Sequence, residues 1–288
     1  MCKPRSTVIL NLFCWSALTL VAMSLPVSGQ EKIEDQKVFS GPQPGEKLPP
    51  LKARIIIGQN AGKEVDILSA ADGKPVFLIF MNAFGELVNE TMRVMTLYAE
   101  RQEKGDFVTA VVWVTSDPSE LEAKLKRAKP HMPKKTPVGI SLAGPEGPGA
   151  YGLNRHVQMT VLVAKENVVT ANFALVQPSI QADSVAVLSE LVKVIGGQPP
   201  TLAEVITPRN RQIVATRIEL MLNKSASDDR VRQLAAVMER FVRSRRDAKI
   251  KLGQMSKEIV EGGQFDDRAL AIGYLRKWAK EYEEDADR

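Results

Sequence analysis

Cysteine is almost absent from this chain. The only two, Cys2 and Cys14, lie in or beside an apolar N-terminal stretch. If that stretch is removed, the remaining protein cannot form a disulfide, use a thiolate in catalysis, or bind zinc or an iron–sulfur cluster through cysteine. Its stability must then come from packing alone.

The N-terminal stretch has the order of a secretory signal. Lys3 and Arg5 precede an apolar run from Val8 to Met23, and small residues follow. This order predicts a signal peptide over residues 1–29, cleaved before Gln30. The run is shorter than the ~20 residues that span a bilayer, although an uncleaved anchor stays the alternative. We therefore expect an exported protein, periplasmic or extracellular, that meets a membrane only if the signal is kept.

Histidine is also scarce, since His131 and His156 are the only two. A metal site that combines them with Glu86 or Glu90 is conceivable, but no ligand spacing supports it and lysines surround His131. We therefore predict no metal and no other cofactor. His156 follows Arg155, and the two together could orient an anion. A glycine-rich phosphate loop and a serine in a nucleophile elbow are missing.

The most informative stretch of the chain is a continuous apolar run followed by a helical pattern. Val76 to Phe80 has the length of a buried strand, and a short turn follows it. A stripe of four apolar residues and one threonine then follows at spacings of three and four, as on one face of a helix. These residues are Leu87, Thr91, Val94, Met95 and Tyr98.

This strand and helix, entered through Gly-Lys-Pro, resemble the first βα unit of the thioredoxin-like fold. They are most similar to its exported thiol-reductase and peroxiredoxin branch. In that family the turn carries Cys-x-x-Cys or a single peroxidatic cysteine. When Phe80 is aligned with the family's strand-end aromatic residue and Met92 with its helix methionine, the thiol positions fall on Gly85 and Val88. The resemblance thus implies the fold without its usual chemistry.

The family also places a cis-proline opposite the active thiol, just before a strand that here reads Val161–Val163. The matching position is Gln158. Loss of this proline together with both thiols indicates that the redox site was abandoned as a unit. Two interpretations stay open, namely ordinary turn residues or a groove reused for a peptide or ligand. The candidate groove residues are Phe84, Glu86, His156 and Met159.

The complete pattern predicts an α/β fold: a thioredoxin-like mixed central sheet flanked by helices, with an N-terminal β-hairpin and a C-terminal all-helical extension. Residues 30–50 form an extended lead-in, residues 51–197 the thioredoxin-like domain, and residues 201–288 the helical region. In the domain's last helix, Asp183 is the predicted N-cap. In the helical region, Ser225 to Asp228 is the predicted capping box.

The helical region also contains a basic segment, Arg240–Lys251, with six basic residues in twelve. If it is one helix, Phe241 and Val242 can pack inward while the arginines stay in water. The alternative is contact with an anionic polymer, a membrane surface or an acidic partner. Because no aromatic residues are interleaved to stack on bases, we expect no nucleic acid.

Two functions remain open at this stage. The first is an exported, redox-inactive thioredoxin-like protein that serves as a binding or scaffold module for a protein or peptide. The second is a member of a thiol-redox or peroxide-handling pathway that works with a cysteine-bearing partner. The absent thiols favour a protein that is not an enzyme.

Overall fold

The computed structural model describes residues 38–102, 106–265 and 267–282. The predicted signal peptide and the lead-in up to residue 37 therefore lie outside the described residues. Within the described part, no helix is both long and apolar enough to cross a membrane.

Seven strands form one mixed sheet with the order β2-β1-β5-β4-β3-β6-β7. They are β1 (Lys52–Ile57), β2 (Glu64–Asp66), β3 (Val76–Met81), β4 (Val108–Trp113), β5 (Val138–Ile140), β6 (Met159–Lys165) and β7 (Val168–Leu175). Strands β1 and β2 form the predicted antiparallel hairpin. The central strand, β3, pairs in parallel with β4 and antiparallel with β6.

All six residues of β3 are buried, because helices cover one face of the sheet and loops the other. Side chains alternate between the two faces, as strand geometry requires. Phe77 and Ile79 join the core under the helices, whereas Leu78 and Phe80 join the core on the opposite face. This double burial explains why β3 appears in the sequence as a continuous apolar run.

Three helices cover the first face: α1 (Glu86–Ala99), α2 (Pro118–Ala128) and α3 (Ile180–Ile195). The structure corrects the start of α3. Its N-cap is Ser179, whose hydroxyl accepts a hydrogen bond from the Ala182 N–H. Asp183 lies inside the first turn, and its carboxylate accepts from the Ser179 N–H at 2.7 Å. Both side chains satisfy N–H groups that the helix start leaves free.

The helical region contains α4 (Leu202–Leu222), α5 (Asp228–Val242), α6 (Arg246–Gly262) and α7 (Ala269–Glu281). A capping box of Thr201 and Glu204 begins α4. Helix α5 is capped by Ser227 rather than by the predicted box from Ser225. The basic segment is not one helix, because the chain leaves α5 after Val242 and starts α6 at Arg246.

Helix α4 belongs to both parts of the protein. Near its start, Val205 is buried in the core that α1 and α3 form with the sheet. Further along, Val214 and Ile218 are buried in a separate core made by α4 to α7. Each core contains one fully buried tryptophan, Trp113 in the first and Trp278 in the second.

Candidate functional site

The first candidate site lies where β3 ends and α1 begins. Gly85 is the N-cap of α1 in extended backbone, and no side chain caps the helix. Gly85 is exposed, whereas Val88 is 4% exposed and packs into the core. The two positions that the family resemblance assigns to thiols are thus an open turn residue and a core residue.

Backbone hydrogen bonds connect the loop at Gln158 to both neighbouring strands. The Asn82 N–H donates to the Gln158 carbonyl at 2.9 Å, and the Gln158 N–H donates to the Leu175 carbonyl at 3.1 Å. No cis peptide bond occurs among residues 38–102, 106–265 and 267–282. The family's cis-proline position is therefore an ordinary trans residue whose N–H and carbonyl are already bonded within the protein.

The predicted groove residues do not all reach the surface. Phe84, Glu86 and His156 are exposed, but Met159 is fully buried. Met159 is the first residue of β6 and pairs with Met81 of β3, so its side chain points into the core. This corrects the expectation that Met159 offers a ligand an adaptable side-chain contact.

Exposed apolar side chains follow three strands, β3, β5 and β7, that end at the same edge of the sheet. Of the eight large hydrophobic side chains that are exposed among the described residues, four follow strands that end at this edge of the sheet. In open α/β sheets, ligands bind outside the carboxyl ends of strands. We call this group the apolar rim: Phe84, Leu87, Leu142 and Val176.

Phe84 lies over a buried tryptophan. The Phe84 and Trp113 ring centroids are 5.2 Å apart. The two rings line a small pocket of about 100 Å³ with Asn82 and Asp117. The Trp113 indole N–H has no acceptor among the described residues. The rim therefore combines an apolar surface with an adjacent unused hydrogen-bond donor.

A second candidate site, which the sequence did not reveal, is a cleft of about 840 Å³ between α1, α4 and the α5–α6 turn. Six arginines and three carboxylates line it. We call it the arginine cleft after these residues: Arg93, Arg209, Arg217, Arg230, Arg245 and Arg246. A usable sequence signal was the seven-residue spacing of Ile206, Ile213 and Leu220, which places these residues on one face of α4.

Glu90 of α1 joins the two parts of the protein at this cleft. Its two carboxylate oxygens each accept a hydrogen bond from Arg209 of α4 at 2.8 Å, and Arg93 also pairs with it. Burial alone would raise the pKa of Glu90. The hydrogen bonds and positive charges of Arg209 and Arg93 outweigh burial, so the pKa lies below its ordinary value of 4.5. Glu90 is thus an ionised bridge between helices rather than a candidate acid.

Within the described residues, no group of three or more histidine, cysteine or acidic side chains is arranged to hold an ion. His131 lines the arginine cleft, whereas His156 lies in the Gln158 loop.

Three connections define the architecture. The parallel β3–β4 pair is joined through α1, β6 returns antiparallel beside β3, and the β6–β7 hairpin leads into α3. The fold is thioredoxin-like. This fold occupies the sheet and its three helices, and α4 to α7 form a helical extension after it. The predicted fold class is confirmed.

Solved structures with thioredoxin-like names are among those to which the chain is similar. A candidate protein disulfide isomerase from Bacteroides thetaiotaomicron is 18% identical, with 56% of this chain and 96% of that chain covered and a TM-score of 0.41. The exposed lipoprotein thioredoxin of Streptococcus pneumoniae is 17% identical, with 49% of this chain and 98% of that chain covered and a TM-score of 0.37. The reduced 2-Cys peroxiredoxin of Plasmodium vivax is 13% identical, with 56% of this chain and 88% of that chain covered and a TM-score of 0.37.

At these identities and TM-scores the similarity says nothing about activity or ligands. No family model matches the chain, and no curated protein matches it.

Proposed function

We propose that this protein is an exported, redox-inactive thioredoxin-like module that binds an extended segment of a partner protein at the apolar rim. The observation that carries this proposal is an exposed apolar surface next to the two positions that the family resemblance assigns to thiols. Those positions hold Gly85 and Val88, while Phe84 is 45% and Leu87 is 63% exposed.

The exposed side chains support a binding surface rather than a leftover of the fold. Full burial of a Leu or Phe side chain yields about 1.5 to 3 kcal/mol, and these two side chains, both about half exposed, each forgo roughly half of that free energy. A partner that covers them recovers this energy. Because the Gln158 N–H and carbonyl are bonded internally, we expect contacts to side chains and to neighbouring backbone groups rather than to Gln158.

The alternative, membership of a thiol-redox or peroxide-handling pathway, requires a cysteine-bearing partner, since residues 30–288 contain no cysteine. We expect the metal-free protein to reduce neither insulin disulfides nor hydrogen peroxide above a buffer control. Turnover by the protein alone would contradict redox inactivity. Turnover that appears only when a cysteine-bearing oxidoreductase is added would favour the alternative.

The binding site can be tested once a partner has been recovered from the exported fraction. Phe84→Ala should weaken binding more than a double Arg245/Arg246→Ala change, and binding should survive high salt because apolar contacts are not screened. The opposite ranking, with binding lost in salt, would move partner binding to the helical extension. Export itself is tested by mass spectrometry, which should find a chain that lacks residues 1–29.

A further inference from the structure

We propose that the arginine cleft binds an organic anion, an oxyanion on an apolar body, with the oxyanion held by Arg217 and Arg245 and the apolar body lying against α4. This site differs from the apolar rim in residues and in chemistry. Its test therefore does not depend on the partner proposed above.

The first observation is that the cleft contains more positive charge than its carboxylates can balance. Glu90 is fully engaged by Arg209 and Arg93. Asp247 accepts a distant hydrogen bond from Asn210 at 3.4 Å, and its other oxygen has no partner. Glu86, the third carboxylate, is exposed at the start of α1. Each carboxylate is therefore engaged elsewhere or unpaired.

Four cleft arginines consequently form no ion pair with any carboxylate of the described residues, namely Arg217, Arg230, Arg245 and Arg246. Arg217 is the most telling of them. It is partly buried, and its Nη1 is buried without any hydrogen-bond acceptor. A buried charged donor that lacks a partner costs free energy, and a bound anion would offset that cost.

Phe241 contacts both Arg217 and Arg245, the two arginines proposed to hold the oxyanion. The Cζ atoms of Arg217 and Arg245 lie 4.7 and 4.6 Å from the centroid of the Phe241 ring. The Arg245 Nη1 also donates to the Phe241 carbonyl at 2.8 Å. Two guanidinium groups thus contact one aromatic ring. Each guanidinium is planar and presents a fork of donors that matches the geometry of carboxylate or phosphate.

The electrostatics at Arg217 agree with this placement. Burial lowers its pKa, and the charges of Arg209 and Arg245 lower it further, while Glu90 opposes the change. No side chain caps the first turn of α6, which also lines the cleft at Arg246 and Asp247. An anion here would meet guanidinium groups and the positive end of a helix.

The apolar half of the ligand follows from the wall of the cleft. Ile206, Ile213 and Leu220 lie along the α4 face that carries Arg217. Leu220 is 40% exposed. Sites for small molecules combine apolar walls with a few fixed polar groups. The cleft is therefore better suited to an amphiphilic anion than to an inorganic ion.

The probe for the test is 8-anilino-1-naphthalenesulfonate, an oxyanion on an aromatic body, titrated by fluorescence into the full-length protein. Uncharged N-phenyl-1-naphthylamine serves as the reference probe. We expect Arg217→Met to raise the dissociation constant of the anionic probe about tenfold or more, because hydrogen bonds to charged groups are strong. The uncharged probe should be unaffected. The matched control is Arg211→Met, which changes an exposed arginine of α4 outside the cleft.

Competition identifies the oxyanion. Displacement of the probe by octyl phosphate or by octanoate would support the proposal and show which group is preferred. Equal displacement by inorganic phosphate would contradict the claim that the ligand has an apolar body. Displacement by none of these compounds would contradict the proposed site as a whole. Equal probe affinity for wild type and Arg217→Met would also overturn it.

Thermal melting separates a binding role of Arg217 from a structural one. If Arg217 serves a ligand, Arg217→Met should melt at or above the wild-type temperature in the absence of ligand, because it removes an unpaired buried charge. A clear fall in Tm would instead assign Arg217 to holding Phe241 in place, and would contradict the proposal.

Discussion

The apolar rim and the arginine cleft are both built on helix α1, yet they differ in every physical respect. The rim lies at the N-terminus of α1, where Phe84 and Leu87 are exposed. The cleft lies on the flank of α1, where Glu90 and Arg93 meet charges from a helix outside the thioredoxin-like part. The two positions to which the family resemblance assigns thiols hold Gly85 and Val88. The charged cleft lies where α4 and the α5–α6 turn of the helical extension meet α1.

The largest effect is expected when the helical extension is removed. Residues 30–198 should fold cooperatively alone but be less stable than residues 30–288 by about 4 kcal/mol, because Val205 leaves the sheet core and Glu90 loses Arg209. Urea unfolding followed by circular dichroism measures the difference. Val205→Ala in the longer chain is the control for that side chain alone. Aggregation of the shorter chain would show that α4 is an integral layer of the first core.

A sharper test removes only the bridge between the parts. Arg209→Met should destabilise the protein by about 2 kcal/mol at pH 7, since it leaves the partly buried Glu90 carboxylate with Arg93 alone. Arg211→Met should have almost no effect. The lowered pKa of Glu90 means that its stabilisation is present above pH 4.5 and is lost as the pH falls through the folded-state value. Urea unfolding should therefore show equal stabilities for wild type and variant at strongly acidic pH. A difference that persists there would refute the ion-pair explanation.

The smallest effect concerns the Gln158 loop, where Gln158→Pro introduces the residue that the family resemblance places there. A proline cannot donate to the Leu175 carbonyl, so we expect a loss of about 1.5 kcal/mol in unfolding free energy. Gln158→Ala keeps the N–H and should be neutral. A stable proline variant would mean that the loop accommodates proline without the Gln158 N–H bond to Leu175.

The elements that local sequence predicted are those determined by their own residues. Strand β3 is continuous and apolar because it is buried on both faces, and the β1–β2 hairpin follows from its turn residues. Met159 was misjudged because its burial depends on pairing with Met81, far away in the chain. The break between α5 and α6 has no proline or glycine to mark it. The bridge from Glu90 to Arg209 joins residues 119 apart, and no local pattern encodes such a contact.

The placement of the two buried tryptophans makes the protein its own optical reporter. The Trp113 indole has no acceptor in the described residues, while the Trp278 indole donates to Glu239 at 3.2 Å, so their emission spectra should differ. In a chain that begins at Gln30 and so lacks Trp15, Trp113→Phe removes the tryptophan emission of the sheet core and Trp278→Phe that of the helical core. Each variant then follows the melting of one half within the intact chain. Coincident melting curves would mean that the two cores unfold together, coupled through α4. Separate curves would give each core its own melting temperature.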